Sequence, residues 1–253
     1  MSQFSVQTMD QIRTQLASAL RDQDFTRVNR EGSMTSLVGN TTIELLGATF
    51  RASQPALFGL VNWDYVAREE AWYKSQSLNV RDIPGAVPAI WSAVADPDGF
   101  INSNYGWCIY SQENGQQFDH VVQELRANPE SRRAQMIYTR PSMWQDYNKN
   151  GRSDFMCTDS VQYVIRSGAV HALVRMRSND AIMGFKNDRA WQAHVLEQVA
   201  AEVGVPAGDV IWHVGSLHVY ARHYYLLDHF ALTGETHISK ENYQQTYPQS
   251  QFI

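Results

Sequence analysis

The stretch from Phe155 to Ser178 constrains the fold most. Two β-rich runs, FMCTDSVQYVIR and AVHALVRMRS, flank the turn dipeptide Ser167-Gly168, so residues 155–178 are predicted to form a hairpin. Beyond the hairpin the pattern changes type repeatedly. Residues 188–203 place Trp191, Val195, Leu196 and Val199 on one helical face, with Gly204 as the stop. DVIWHVGSLHVYA then alternates as a strand, and HYYLLDHFALTG closes as a helix. Strands mixed with helices outside strict βαβ order predict an α+β fold, with one large mixed β-sheet and helices packed against it.

The first half is less regular. Ile12, Leu16 and Leu20 recur every four residues behind the polar starters Thr8 and Asp10, which predicts an amphipathic helix. A loop with Arg30, Gly32 and Gly39 leads into a strand-like stretch, TTIELLGATF. Residues 62–75, carrying Glu69, Trp72 and Tyr73, read as helix, and AQMIYTR reads as strand. Residues 81–118 read as irregular chain packed by its own tryptophans. Nothing repeats at a fixed period and no Pro/Ser linker interrupts the chain, so residues 1–253 are expected to form a single domain.

Composition narrows the function classes. Hydrophobic residues make up 43% and charged residues 19%, which excludes a disordered or collagen-like chain. The net charge of -5 argues against nucleic acid as the main ligand, so an anionic ligand must be met by a local arginine cluster. Two cysteines do not make a disulfide framework. No apolar run approaches the roughly 18–20 residues that cross a bilayer, and the opening MSQFSVQTMDQIRTQL has neither a basic leader nor an apolar core. A soluble cytoplasmic protein without a membrane segment is expected.

Chemistry concentrates at Cys157, in SDFMCTDS. A cysteine beside Phe and Met can be a small core residue. Against that stand its polar neighbours Ser153, Asp154, Thr158 and Asp159, and the hairpin brings Arg175 and Arg177 back towards it. A guanidinium beside a thiol favours the nucleophilic thiolate. Elsewhere, the pair Arg132-Arg133 can be exposed charge or an anion clamp, and Glu69 and Glu70 compete for one buried helix face. His213, His218, His223 and His229 lack the ligand spacing of a metal site, so no metal is expected.

The segments REEAWYKSQSL, INSNYGW, SRRAQMIYTRPSM, SDFMCT, RMRSND, GFKND and VGSLHVYARHYYL, in that order, resemble the thymidylate synthase superfamily, most closely its deoxycytidylate hydroxymethylases from tailed bacteriophages. The resemblance spans nearly the whole chain. It implies a homodimer formed through the sheet, acting in the infected bacterial cytoplasm on dCMP, with 5,10-methylenetetrahydrofolate as one-carbon donor and no metal. Docking into a larger nucleotide-synthesis complex stays open. Cys157 occupies the nucleophile's place, and Glu69 that of a proton relay. Arg30, Arg132, Arg133, Arg177 and Ser178 match a phosphate clamp, the Arg132-Arg133 pair reaching into the neighbouring subunit. His218 and Tyr220 match the pair that holds the sugar hydroxyl. Trp91 and Tyr105 match positions lining the folate and base cavity, or else belong to the core, and Asp180 matches the carboxylate that meets the pterin.

Asp188 matches the base-reading position. There an amide serves uracil, whereas a carboxyl group suits cytosine, whose exocyclic amine is a donor. A helix N-cap is the alternative role for Asp188, and Asn187 is the competing base reader. The closing residues TYPQSQFI do not resemble the tail that seals thymidylate synthases for hydride transfer, which fits a site that admits water. The rivals are a dUMP hydroxymethylase or methylase, a CMP hydroxymethylase, and a catalytically silent nucleotide- or RNA-binding relative.

Overall fold

The N-terminal helix, Met9–Arg21, forms where the four-residue spacing places it. Thr8 Oγ1 accepts from Gln11 N (3.2 Å) and Gln11 Oε1 accepts from Thr8 N (2.8 Å), a reciprocal cap that satisfies two amides the first turn would orphan. Its apolar face is sealed, with Ile12 and Leu16 fully buried. The structure, a computed structural model, describes residues 5–27 and 41–252, with only the backbone of Thr26 and Arg27. The predicted loop with Arg30, Gly32 and Gly39 lies outside the described residues.

Strand β1 (Thr26–Arg27) pairs antiparallel with β2 (Thr41–Arg51), the latter covering the predicted TTIELLGATF. Strand β3 (Gln135–Ile137) keeps only three residues of AQMIYTR. Strands β4 (Thr158–Arg166) and β5 (Ala169–Asp180) form the predicted hairpin, and β6 spans Ala207–Tyr220. The six strands make one sheet of order β1-β2-β6-β5-β4-β3, and helices complete the α+β architecture. The hairpin turn needs left-handed backbone at two successive residues. Ser167 (φ 51°) and Gly168 (φ 79°) supply it, and that pattern matches the right-handed twist of the strands.

Three elements depart from expectation. Residues 81–118 are more regular than the sequence suggests: they hold helices Ala89–Val94 and Tyr105–Tyr110, and the helix Gln117–Ala127 starts at their end. Two of these helices are only six residues long, too short to display a periodic stripe, and Asn104 caps the second by accepting from Trp107 N (2.8 Å). The helix assigned to 188–203 begins four residues earlier, at Gly184. A further helix, Lys240–Thr246, ends the fold.

The chain divides into two compact units, each built from separate segments. One comprises Met1–Val61, Ser178–Arg189 and His213–Ile253; the other comprises Asn62–Arg177 and Ala190–Trp212. In the first, Arg13 is buried on the N-terminal helix and donates to the carbonyls of Leu57 (2.7 Å) and Ala56 (2.9 Å), tying helix to loop. In the second, an aromatic cluster fills the core. Tyr73 stacks on Tyr105 with ring centroids 5.3 Å apart, and Trp191 meets Tyr73 edge-on at 5.0 Å. Gly106 lets two helices touch here, because a Cβ at that position would stand 1.8 Å from the Tyr73 carbonyl oxygen.

Candidate active site

In the unit Asn62–Arg177 with Ala190–Trp212, Cys157 sits at the mouth of the hairpin, one residue before β4, and is half-buried. The antiparallel pairing sets Arg177 beside it. Arg177 N donates to the Cys157 carbonyl (2.8 Å), and the guanidinium wraps the same corner. Its Nη2 lies 3.7 Å from Cys157 Sγ and 3.3 Å from the Phe155 carbonyl, its Nε 3.3 Å from the Met156 carbonyl, and its charge sits 5.1 Å over the Phe155 ring. A fixed positive charge at that distance stabilises a thiolate. Arg175, the other expected neighbour, pairs in register with Ser160. Cys108 is the contrasting cysteine. It is buried in the helix Tyr105–Tyr110, and burial pushes its thiol up to about 12, which leaves it inert.

The corner that presents Cys157 is held from below. Asp154 is buried and accepts from Asn102 N (2.6 Å), Ser103 N (2.8 Å) and Ser103 Oγ (2.6 Å). Of the polar neighbours expected to keep the cysteine out of a dry core, Asp154 and Thr158 are buried and Ser153 is exposed.

Glu69 lies on the helix Trp63–Ser75, whose Asn62 cap accepts from Tyr65 N (3.1 Å). Helical spacing separates the two candidate carboxylates. Glu69 turns inward and is 5% exposed, whereas Glu70 pairs with Lys74 at 2.6 Å on the outer side. Tyr65, one turn earlier, donates its hydroxyl to Glu69 Oε1 at 2.6 Å. Trp91 Nε1 lies 2.8 Å from that hydroxyl and 3.3 Å from Glu69 Oε1. Burial raises the Glu69 pKa to about 7, with the Tyr65 and Trp91 hydrogen bonds opposing the rise. The carboxyl therefore exchanges protons near neutrality. In the sequence only its i,i+4 spacing to Glu69 marks Tyr65.

Tyr105 belongs to the aromatic core, 4% exposed, while Trp91 is half-buried beside Glu69. Arg132 and Arg133 are both exposed. Arg133 is engaged by Glu124, its Nη2 at 3.0 Å and Nε at 3.2 Å, and Ser131 Oγ donates to the same carboxylate at 2.5 Å. Arg30 lies outside the described residues.

In the other unit, Ser178 and Asp180 end β5, and Asn187 and Asp188 ride the helix Gly184–Val203. Asp188 falls in the helix's second turn, so the N-cap role is excluded. Its Oδ2 instead accepts from Asn179 Nδ2 at 2.7 Å. Asn179 is buried between Ser178 and Asp180, and nothing in its sequence context marked it. Asn187 is half-buried on the same helix. Asp180 Oδ1 accepts from Ile182 N (2.8 Å) and Met183 N (3.2 Å), closing the turn that leads into the helix. His218 and Tyr220 share a face of β6, as their spacing requires, with rings edge-on at 5.0 Å. Among the described residues no three His, Cys, Asp or Glu side chains gather to hold a metal, and no helix is long and apolar enough to cross a membrane.

A sheet-and-helix fold presenting one accessible thiol against an arginine, with a neutral-range carboxyl on a separate helix, agrees with the wider likeness of the chain. The thymidylate synthase profile matches residues 14–245, and the chain belongs to the thymidylate synthase family. Deoxycytidylate 5-hydroxymethyltransferase of Enterobacteria phage T4 is 51% identical over 247 residues, 95% of this chain and 97% of that protein. The protein of the same name from Enterobacteria phage T6 is 52% identical over 244 residues, 94% and 96% of the two chains. The fold is that of thermostable thymidylate synthase A from Bacillus subtilis, with a TM-score of 0.64 at 22% identity over 87% of this chain and 82% of that one.

Proposed function

We propose that this chain is a deoxycytidylate 5-hydroxymethyltransferase. It acts as one catalytic domain over residues 1–253 and as a homodimer, in the infected bacterial cytoplasm. The observation that carries the reading is the half-buried Cys157 thiol 3.7 Å from Arg177 Nη2, the nucleophile that pyrimidine C5 chemistry requires. Its near full-length likeness to the phage hydroxymethyltransferases supports the cytosine branch.

Carbon 5 of cytosine is a weak nucleophile. Addition of the Cys157 thiolate to C6 makes C5 enamine-like and able to attack a one-carbon electrophile. Bound 5,10-methylenetetrahydrofolate supplies that carbon. The half-buried Trp91 ring beside a protonatable carboxyl fits a flat heterocycle, and the partly exposed Asp180 fits its amino-pyrimidine edge. Glu69, poised near pH 7, takes and returns protons at the base. Loss of the C5 proton and departure of tetrahydrofolate leave an exocyclic methylene at C5; water adds to it, and elimination of the Cys157 thiolate from C6 then frees the product. Arg177, Ser178, Arg30 and, across the dimer, Arg132 and Arg133 hold the phosphate by charge-assisted hydrogen bonds. His218 and Tyr220 hold the sugar hydroxyl, and Asp188 meets the amine of cytosine, with Asn187 beside it.

The test is one incubation of dCMP, dUMP and CMP with methylenetetrahydrofolate, with products identified by mass and folate followed by absorbance. Hydroxymethyl-dCMP without dihydrofolate is expected. Dihydrofolate formed in step with product, preference for dUMP or CMP, or no turnover with any nucleotide would each overturn the reading in favour of a named rival.

A further inference from the structure

We propose that Asn179 is a positioning residue for base recognition: its amide pins one oxygen of Asp188 as the acceptor, so that the other oxygen carries the exchangeable proton. This rests on the reading of Asp188 as the group that meets cytosine. The geometry is specific. Asn179 Nδ2 donates to Asp188 Oδ2 at 2.7 Å, at the short end of the N–H···O range, and Asn179 is 3% exposed at the end of β5. The helix that carries Asp188 starts with Gly184, where a Cβ would stand 3.3 Å from Asn179 Nδ2 and 3.6 Å from Asp188 Oδ2. The missing side chain leaves the hydrogen bond room to form.

The consequence comes from donor and acceptor inventories. Neutral cytosine offers an N–H donor on its 4-amine and an acceptor at N3. A carboxyl group satisfies both only if one oxygen accepts and the other carries a proton. Protonating Oδ2 would weaken the bond from Asn179, so the proton belongs on Oδ1 and the acceptor is Oδ2. When Cys157 adds to C6 and electron density reaches N3, that proton can pass from Oδ1 to N3 and return when the thiolate leaves. Uracil reverses the pattern. Its O4 would face an oxygen already fixed as an acceptor, and its N3–H would face the protonated one. Asn179 therefore sharpens selection for cytosine without touching the base.

The test compares kcat and KM for dCMP and dUMP in the full-length enzyme, wild type and variants. Asn179→Ala removes the donor, and Asn179→Leu removes it while keeping a branched side chain of similar shape; thermal melting shows which variants fold. The expected result is a loss of roughly 10–100-fold in kcat/KM for dCMP, mainly in kcat, with a reduced preference for dCMP over dUMP and an unchanged KM for the folate. In an Asp188→Ala background, adding Asn179→Ala should change kcat/KM by less than about 3-fold, because the group it acts through is gone. Fully additive losses, or an unaltered base preference in both folded Asn179 variants, would overturn the proposal. Failure of the underlying reading looks different: Asp188→Ala alone would then keep the preference for dCMP.

Discussion

Removing one hydroxyl, in Tyr65→Phe, should move the pH profile of the enzyme. Glu69 ionises near pH 7 because two opposing effects nearly meet: burial favours the neutral acid, while the Tyr65 hydroxyl at 2.6 Å and Trp91 favour the carboxylate. Phenylalanine keeps the burial and deletes the stronger donor. A hydrogen bond to a charged group is worth about 1.5–3 kcal/mol, which corresponds to a rise of roughly one to two pH units in the ionisation of Glu69. Trp91 Nε1, released from the Tyr65 hydroxyl 2.8 Å away, can turn fully to Glu69, now at 3.3 Å, which holds the rise towards the lower end. The assay is kcat/KM for dCMP between pH 5.5 and about 9.5, paired with carbon-13 NMR titration of the Glu69 carboxyl. The inflection near pH 7 should move upward in both. A downward movement, or none in the NMR titration, would refute the assignment of Tyr65 as the carboxylate's main donor. Stability supplies a cross-check. A folded pKa raised from 4.5 to about 7 means stability present below about pH 4.5 and lost as pH rises through about 7, by about 3 kcal/mol in all. Glu69→Gln should therefore be more stable than wild type at pH 8 while losing activity.

Cys157→Ala should abolish turnover and also the exchange of the C5 hydrogen of dCMP, since both need addition at C6, while Cys108→Ala retains both; exchange surviving in Cys157→Ala would remove that residue from the nucleophile's role. Asp188→Asn should lose dCMP activity by about 100-fold or more and gain some with dUMP, because an amide both accepts and donates; kinetics with both nucleotides decide, and an unchanged preference points to Asn187. Subunit mixing tests the proposed dimer. Inactive Cys157→Ala and Arg132→Ala/Arg133→Ala chains, exchanged at equal amounts, should recover roughly a quarter of wild-type activity, and no recovery after proven exchange would place the arginines in their own subunit's site or on the bare surface. Gly106→Ala should destabilise the fold by about 2–3 kcal/mol, read as a lower melting temperature, because its Cβ would meet the Tyr73 carbonyl oxygen at 1.8 Å. An unchanged melting temperature would mean that the two helices separate at no cost.

Local periodicity carried most of the elements. Ile12, Leu16 and Leu20 placed the first helix, the Ser167-Gly168 pair placed the hairpin turn, and Gly204 marked the end of a long helix at a left-handed φ of 80°. Each of these is a short-range consequence of side-chain spacing and allowed backbone angles, which the sequence states directly. Short elements escaped for the same reason. The helices Ala89–Val94 and Tyr105–Tyr110 are six residues long and draw their order from contacts such as Asn104 Nδ2 with the Trp72 carbonyl at 3.0 Å.

The site divides along the same line. By itself the sequence determined which residue types are available and in what order: a cysteine between polar neighbours, a carboxylate pair on one helix, an arginine on the returning strand of a hairpin. Only the family resemblance chose Cys157 and Glu69, because residue spacing alone left open which cysteine is reactive and which glutamate is buried. Those depend on desolvation and on partners distant along the chain. Cys108 is silenced by burial, while Cys157 meets Arg177, twenty residues on, only because β4 and β5 pair antiparallel, with a register shift between Thr158 and Ser160 next to the cysteine. Glu69 and Glu70 are adjacent in sequence, yet only Glu69 lies in a low-dielectric pocket where its proton is held to about pH 7. A helix cap was the alternative role for Asp188, because its sequence context is a helix start. The tertiary structure begins that helix at Gly184 and turns the carboxylate to Asn179, at a point where even a Cβ on residue 184 would stand 3.3 Å from the Asn179 amide.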